Sequence, residues 1–316
     1  MIRLLSLILV LQLAAVAVLY WPQDTGAVAR EALLAAVERG ALLSIEITDG
    51  EGQRALLAAD GERWLLESRL PADAARIDVL LAALLASDPG YAIATSDGAA
   101  QRFSVDDAGF DRRVVLGTRT GLQIAYLGSS PGFRKVHARR DGDSAVYVLE
   151  LNSYDAPATQ DGWLDHGLLA QRQLEHFALY GVDFTLAGER WTRSDGETVS
   201  RDAMQTLLEV LAGLQVSGIA EEGDQDAAAA GEALRITLGN EPGQSRLTVL
   251  DNPALERFYL RSDHYAQTFN TSAYDAERLI DAAKALVGAD DQESADAVQS
   301  AVESAHRNDA APESGS

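Results

Sequence analysis

Cysteine is absent from this 316-residue chain, and with it go disulfides, thiolate nucleophiles and thiolate-ligated zinc or iron–sulfur centres. Lysine is nearly absent as well. Only Lys135 and Lys284 occur, and neither follows the glycines of a phosphate-binding loop, which excludes a P-loop nucleotide site. Positive charge is scarce overall: 26 basic residues face 48 acidic ones, for a net charge of −22. Such a surface repels nucleic acid and anionic lipid headgroups, so any membrane attachment is left to a hydrophobic anchor. The S-x-x-K motif of acyl transfer is missing too.

What is present begins at the N-terminus. From Leu4 to Trp21 the chain is apolar except for Ser6 and Gln12, with Arg3 before it and Asp24 beyond it. Eighteen residues at about 1.5 Å rise span about 27 Å, enough to cross a hydrocarbon core. Tyr20 and Trp21 stand where an interfacial aromatic belt lies, and Pro22 stops the helix. The charge asymmetry predicts a cytoplasmic N-terminus with the body in the periplasm, single-pass in the inner membrane. A signal peptide cleaved after Ala15-Val16-Ala17 is the alternative; it would leave an apolar Val-Leu-Tyr-Trp at the new end, which favours the retained anchor.

The body alternates between strand-like and helix-like periods. Val28, Leu33, Leu34 and Val37 predict a short juxtamembrane helix over 26–40. Short apolar runs separated by Asp49-Gly50 and Asp60-Gly61 predict an antiparallel meander. Pro71 opens an amphipathic helix with Ile77, Leu80, Leu81, Leu84 and Leu85 as its buried stripe. Further hairpins are expected up to Tyr154-Asp155-Ala156. The second half repeats this order: Gly188-Glu189-Arg190-Trp191 echoes Gly61-Glu62-Arg63-Trp64, a helix over 201–214 buries Met204, Leu207, Leu208 and Leu211, and Tyr274-Asp275-Ala276 leads into a last helix. Two landmarks in one order, at nearly constant offset, predict an internal duplication.

The expected fold class is therefore α+β: two related lobes of antiparallel hairpins and meanders, each packed with one or two helices, after a transmembrane helix. The expected segments are an anchor (1–22), a juxtamembrane helix (23–40), repeat 1 (41–165), repeat 2 (166–288) and a disordered tail (289–316) with seven acidic residues and one arginine.

Chemistry-bearing motifs are sparse. The G-x-G-x-x-A match beginning at Gly50 sits too close to the next turn to open a helix, so it reads as a hairpin. Asp141 and Asp143 begin like a calcium loop, but Val146 and Asn152 stand where glycine and an acid are needed. The five histidines, at positions 137, 166, 176, 264 and 306, show no H-x-H or H-E-x-x-H spacing. No catalytic, cofactor-binding or metal-ligating set is assigned and no cofactor is expected. Trp64 and Trp191 fit either packing beneath a hairpin or stacking on a ligand in a cleft between lobes.

The run "GERWLLESRLPADAARIDVLLAALLAS" resembles the bacterial domain of unknown function 4340 family, through Trp64, Pro71, Ala72, Asp73 and the stretch from Ile77 to Leu84. The strand patterns "RRVVLG…LQIAYLG" and "FRKVHARRDGDSAVYVL" extend the likeness over most of residues 40–165. The resemblance implies an envelope-facing auxiliary role beside gliding-type ABC transport systems and brings no catalytic residues. The expected function is a membrane-anchored, non-catalytic accessory or scaffold protein in a membrane complex. A periplasmic small-molecule or glycan-binding module is the alternative, ahead of an envelope hydrolase. Deletion of residues 1–25 is expected to move the protein from the carbonate-resistant membrane pellet to the supernatant; equal pelleting of both forms would refute the anchor.

Overall fold

A computed structural model describes residues 31–96, 98–220, 230–239 and 245–288. The expected anchor over 1–22 and the expected tail over 289–316 lie outside the described residues. Among the described residues, no helix is long and apolar enough to cross a membrane.

In chain order the first half runs β1 (Leu42–Asp49), β2 (Arg54–Asp60), β3 (Arg63–Leu66), α1 (Ala74–Leu85), α2 (Ala99–Arg102), β4 (Val105–Asp106), β5 (Gly109–Phe110), β6 (Arg112–Thr118), β7 (Gly121–Leu127), β8 (Val136–Arg140) and β9 (Tyr147–Leu149). The second half runs β10 (His176–Leu179), β11 (Val182–Ala187), β12 (Arg190–Arg193), α3 (Arg201–Ala212), β13 (Gly218–Ile219), β14 (Gly231–Leu238), β15 (Ser245–Asn252), β16 (Arg257–Ser262), β17 (Thr268–Thr271) and α4 (Ala273–Val287). These strands form two large sheets, of seven and eight strands, and a small β4–β5 ribbon. The class is α+β with two sheet-based lobes. The chain divides into two compact units, Met1–Ala59 with Ala75–Thr159, and Asp60–Ala74 with Gln160–Ser316.

Unit 1 carries the antiparallel run β2-β1-β6-β7-β8-β9. Ile45, Ile47, Ala55 and Leu57 alternate with more exposed neighbours along β1 and β2 and are fully buried, as a half-covered sheet demands. The intervening turn is held by Asp49 Oδ1, which accepts from the backbone N–H groups of Glu51 and Gln53 at 3.0 and 2.9 Å. On α1 the stripe Ile77, Leu80, Leu81 and Leu84 is buried with Ala83, while Leu85 is only half-buried. The helix expected over 26–40 is not formed in its described part: residues 33–36 make a turn and Arg39–Ala41 a single 3₁₀ turn. Leu33, Leu34 and Val37 are buried all the same. The Leu34 N–H donates to the Leu84 carbonyl at 2.9 Å, satisfying an end carbonyl of α1 through a tertiary contact.

Unit 2 carries β12-β11-β10-β14-β15-β16-β17-β13, with every pair antiparallel. Its run β11-β10-β14-β15-β16-β17 has the same order as β2-β1-β6-β7-β8-β9 in unit 1. The repeated Gly-Glu-Arg-Trp has a local cause. Gly61 and Gly188 take φ of +65° and +66° at the first position of a two-residue loop, where mirror-image hairpin turns need positive φ. The helices that follow are both 12 residues long and begin 127 positions apart, as Trp64 and Trp191 stand.

The repeated Tyr-Asp-Ala is a helix-start signal. Asn152 caps the 3₁₀ turn Ser153–Asp155, and the Asp155 carboxylate accepts from the Asn152 N–H at 3.1 Å. One hundred and twenty positions later, Ser272 caps α4 by accepting from the Asp275 N–H at 3.1 Å. In both, the tyrosine is exposed and the alanine, Ala156 or Ala276, is fully buried. Leu207, buried at the centre of α3, should cost about 2–5 kcal/mol on truncation to alanine, against about 1 kcal/mol for Ser272→Ala. Urea denaturation measures both, and the reverse ranking would contradict the packing.

Candidate functional site

A cavity of about 670 Å³ opens between β12 and α3 in unit 2. The hairpins beneath it are fixed by aromatic packing: Phe177 stacks on Phe184 at 4.8 Å between centroids, and Trp191 tilts against Phe177 at 5.4 Å. Trp191 remains half-buried and lines the cavity with Arg190, Thr198, Val199, Met204 and Leu208. Leu208, expected in the core stripe of α3, is half-buried on this wall, and Val210 takes the core position. Ser200 caps the helix by accepting from the Ala203 N–H at 3.3 Å.

One end of the wall is locked by Arg193. Its side chain is 5% exposed; Nη2 donates to Asp195 Oδ2 at 2.6 Å and Nε to Oδ1 at 3.0 Å. Nη1 donates to the carbonyl of Val287, the last residue of α4, at 3.4 Å, and the guanidinium lies 5.8 Å from the Phe184 ring centroid. The Arg193 bonds hold the Asp195 carboxyl below its ordinary pKa, against a smaller desolvation effect. Asp195 Oδ1 also accepts from the Glu197 N–H at 3.0 Å and orders a turn in which Gly196 has φ of +86°.

The matching stretch of the first copy is built differently. There the Leu66 N–H donates to the Leu70 carbonyl at 2.8 Å and the Ala72 N–H to the Trp64 carbonyl at 2.9 Å, so residues 70–72 fold back along β3. Leu66 and Leu70, each 1% exposed, hold this return segment down. At the same offset the second copy has Arg193 and Glu197, and the Val199 N–H makes no bond to the Trp191 carbonyl. The return segment of the first copy also pairs outward. The Asp73 N–H donates to the Trp163 carbonyl at 2.8 Å and the Asp165 N–H to the Pro71 carbonyl at 3.0 Å, with Ala72 bridged to Leu164. Burial pushes the Tyr265 hydroxyl up in pKa; the Asp165 charge adds to the rise and the Arg63 charge offsets it.

Of the two tryptophans singled out by sequence, Trp191 thus borders the cavity and Trp64 belongs to the closed copy; no ring contact joins them among the described residues. His137 packs 4.3 Å from Phe103 and sits 3.0 Å from the Ser129 hydroxyl, with its pKa lowered by burial. His166 and His176 engage the carbonyls of Val216 and Gly239. Among the described residues, no three His, Asp or Glu side chains converge to hold a metal. Arg193, Asp195 and the 196–199 connector escaped the sequence reading. The available signal was the loss of Leu66 and Leu70 at their counterparts.

Residues 64–234, more than half of the chain, match a family described as "Domain of unknown function (DUF4340)", beginning at Trp64 and spanning the cavity. No curated protein and no solved structure matches the chain.

Because the Asp195 pKa is lowered on folding, its contribution to stability is fully present above the unfolded aspartate value of about 3.9 and is lost as pH falls through the folded value. Asp195→Asn should therefore melt below wild type at pH 7, with the gap closing as pH falls below the unfolded value of about 3.9. A gap unchanged across that range in thermal melts would show that the carboxylate charge is not what holds the turn.

Proposed function

As this chain belongs to the domain of unknown function 4340 family, we propose that it is a non-catalytic accessory protein. It is held to the inner membrane by residues 1–22 and acts outside the cytoplasm by binding a component of an ABC-type transport or envelope complex. The observation that carries the binding role is the open cavity beside β12, whose half-buried Trp191 and Leu208 face a space of about 670 Å³. Half-buried aromatic and aliphatic side chains around a concavity are suited to a ligand's apolar groups, and arginines at the rim to its polar ones. Anchoring raises the local concentration of the protein at a membrane partner, so a modest contact is enough for occupancy. The same cavity also supports a second reading, a small-molecule or glycan-binding module, since its volume lies in the range of small-ligand sites.

The two readings part in one experiment. Under the accessory reading, affinity purification from detergent-solubilised native membranes recovers a stoichiometric membrane-protein partner, and deletion of residues 1–25 lowers recovery at least tenfold. Under the ligand reading, a glycan or metabolite panel raises the melting temperature equally with and without those residues. Recovery of no partner by the full chain would overturn the accessory role.

A further inference from the structure

The two copies of the hairpin–helix unit differ in one respect that points to an occupant. In the first, Pro71–Asp73 is paired with Trp163-Leu164-Asp165, a segment written Asp-Gly-Trp-Leu-Asp from Asp161 onward, in which Trp163 and Leu164 are almost fully buried. In the second, the counterpart Thr198-Val199-Ser200 has Ser200 in extended geometry, with φ −65° and ψ 120°, and no segment pairs with it among the described residues. The Ser200 N–H, equivalent to the Asp73 N–H that is bonded in the first copy, finds no acceptor among the described residues. Beside it β12 is the terminal strand of the eight-stranded sheet, and the cavity occupies the adjoining space. A sheet border left in this state is a template for an added strand.

We propose that Thr198–Ser200 pairs with an extended segment of a partner protein in which an aromatic–aliphatic pair is flanked by aspartates, its apolar side chains entering the cavity against Trp191 and Leu208. The charge pattern fits this occupant. Arg190 is the counterpart of Arg63, whose charge acts on Tyr265 alongside that of Asp165 in the internal segment, and Arg201 adds a second exposed guanidinium at the start of α3. Backbone pairing supplies affinity in such an arrangement, and the pocket with its rim charges supplies selectivity. This inference rests on the accessory reading above and locates its contact surface.

The probe is a fluorescein-labelled peptide with the sequence of residues 159–168, titrated into the full-length protein in detergent and followed by anisotropy. Saturable binding is expected. It should weaken at least tenfold with Arg190→Glu, with Leu208→Glu, or when both aspartates of the peptide are replaced by asparagine. Thermal melts of each variant separate lost binding from lost folding. Absence of saturable binding, or binding indifferent to Arg190→Glu, overturns the proposal. So does binding that appears only after residues 289–316 are removed, which would assign the border to the chain's own tail, and so does self-association abolished by Arg190→Glu, which would assign it to a second copy. The peptide assay requires neither anchor nor native partner. Anchor-dependent co-purification alongside a failed peptide titration would therefore leave the accessory role standing and remove only its location.

Discussion

Every backbone N–H and C=O at the border of a β-sheet needs a partner, and an unpaired border is open to any strand that can reach it. Much of the second unit's character follows from how this demand is met. Residues 70–72 fold back along β3 because Leu66 and Leu70 bury their side chains and keep the return segment close enough for two backbone hydrogen bonds. Where Arg193 and Glu197 replace them, the guanidinium is drawn instead to Asp195 and the end of α4, Glu197 stays exposed, and the connector stands away from β12. One pair of leucines separates a closed border from an open one.

The doubled architecture was legible in the sequence because its markers are local. A glycine with positive φ two residues before Arg-Trp, and an aspartate three positions after a capping Asn or Ser, are backbone requirements that short stretches of chain impose on themselves. The hairpin around Asp49-Gly50 was readable for the same reason. The helix over 26–40 was misread because periodicity reports which residues will be buried and not by what geometry. Leu33, Leu34 and Val37 are buried as the pattern required, through turns whose backbone bonds reach α1. Leu208 is the mirror case, a residue with core spacing that faces a cavity since no segment covers it. The cavity itself was illegible to motif searching, because it arises from a difference between two copies and carries no signature of its own.

The electrostatics carry a related pattern. In a chain of net charge −22, two of the few cations are nearly withdrawn from solvent. Arg139, in the first unit, donates to the Val105 carbonyl at 2.7 Å and to the Asp143 carbonyl at 3.0 Å, pairs with Asp107, and lies 4.7 Å from the Tyr126 ring centroid. Arg193 does the equivalent over Phe184. Each guanidinium joins segments distant in sequence by filling several acceptor sites at once, a task the planar five-donor fork performs and a lysine ammonium does not.

The bond from Arg193 to the Val287 carbonyl has a mechanical corollary. A guanidinium at a helix C-terminus neutralises the partial negative charge of the last carbonyls, and here that guanidinium belongs to the border strand of a sheet. Tension applied to the polypeptide downstream of Gly288 would thus be borne first by an ion-paired clasp on β12, so the strand and the exit of the terminal helix are obliged to yield together.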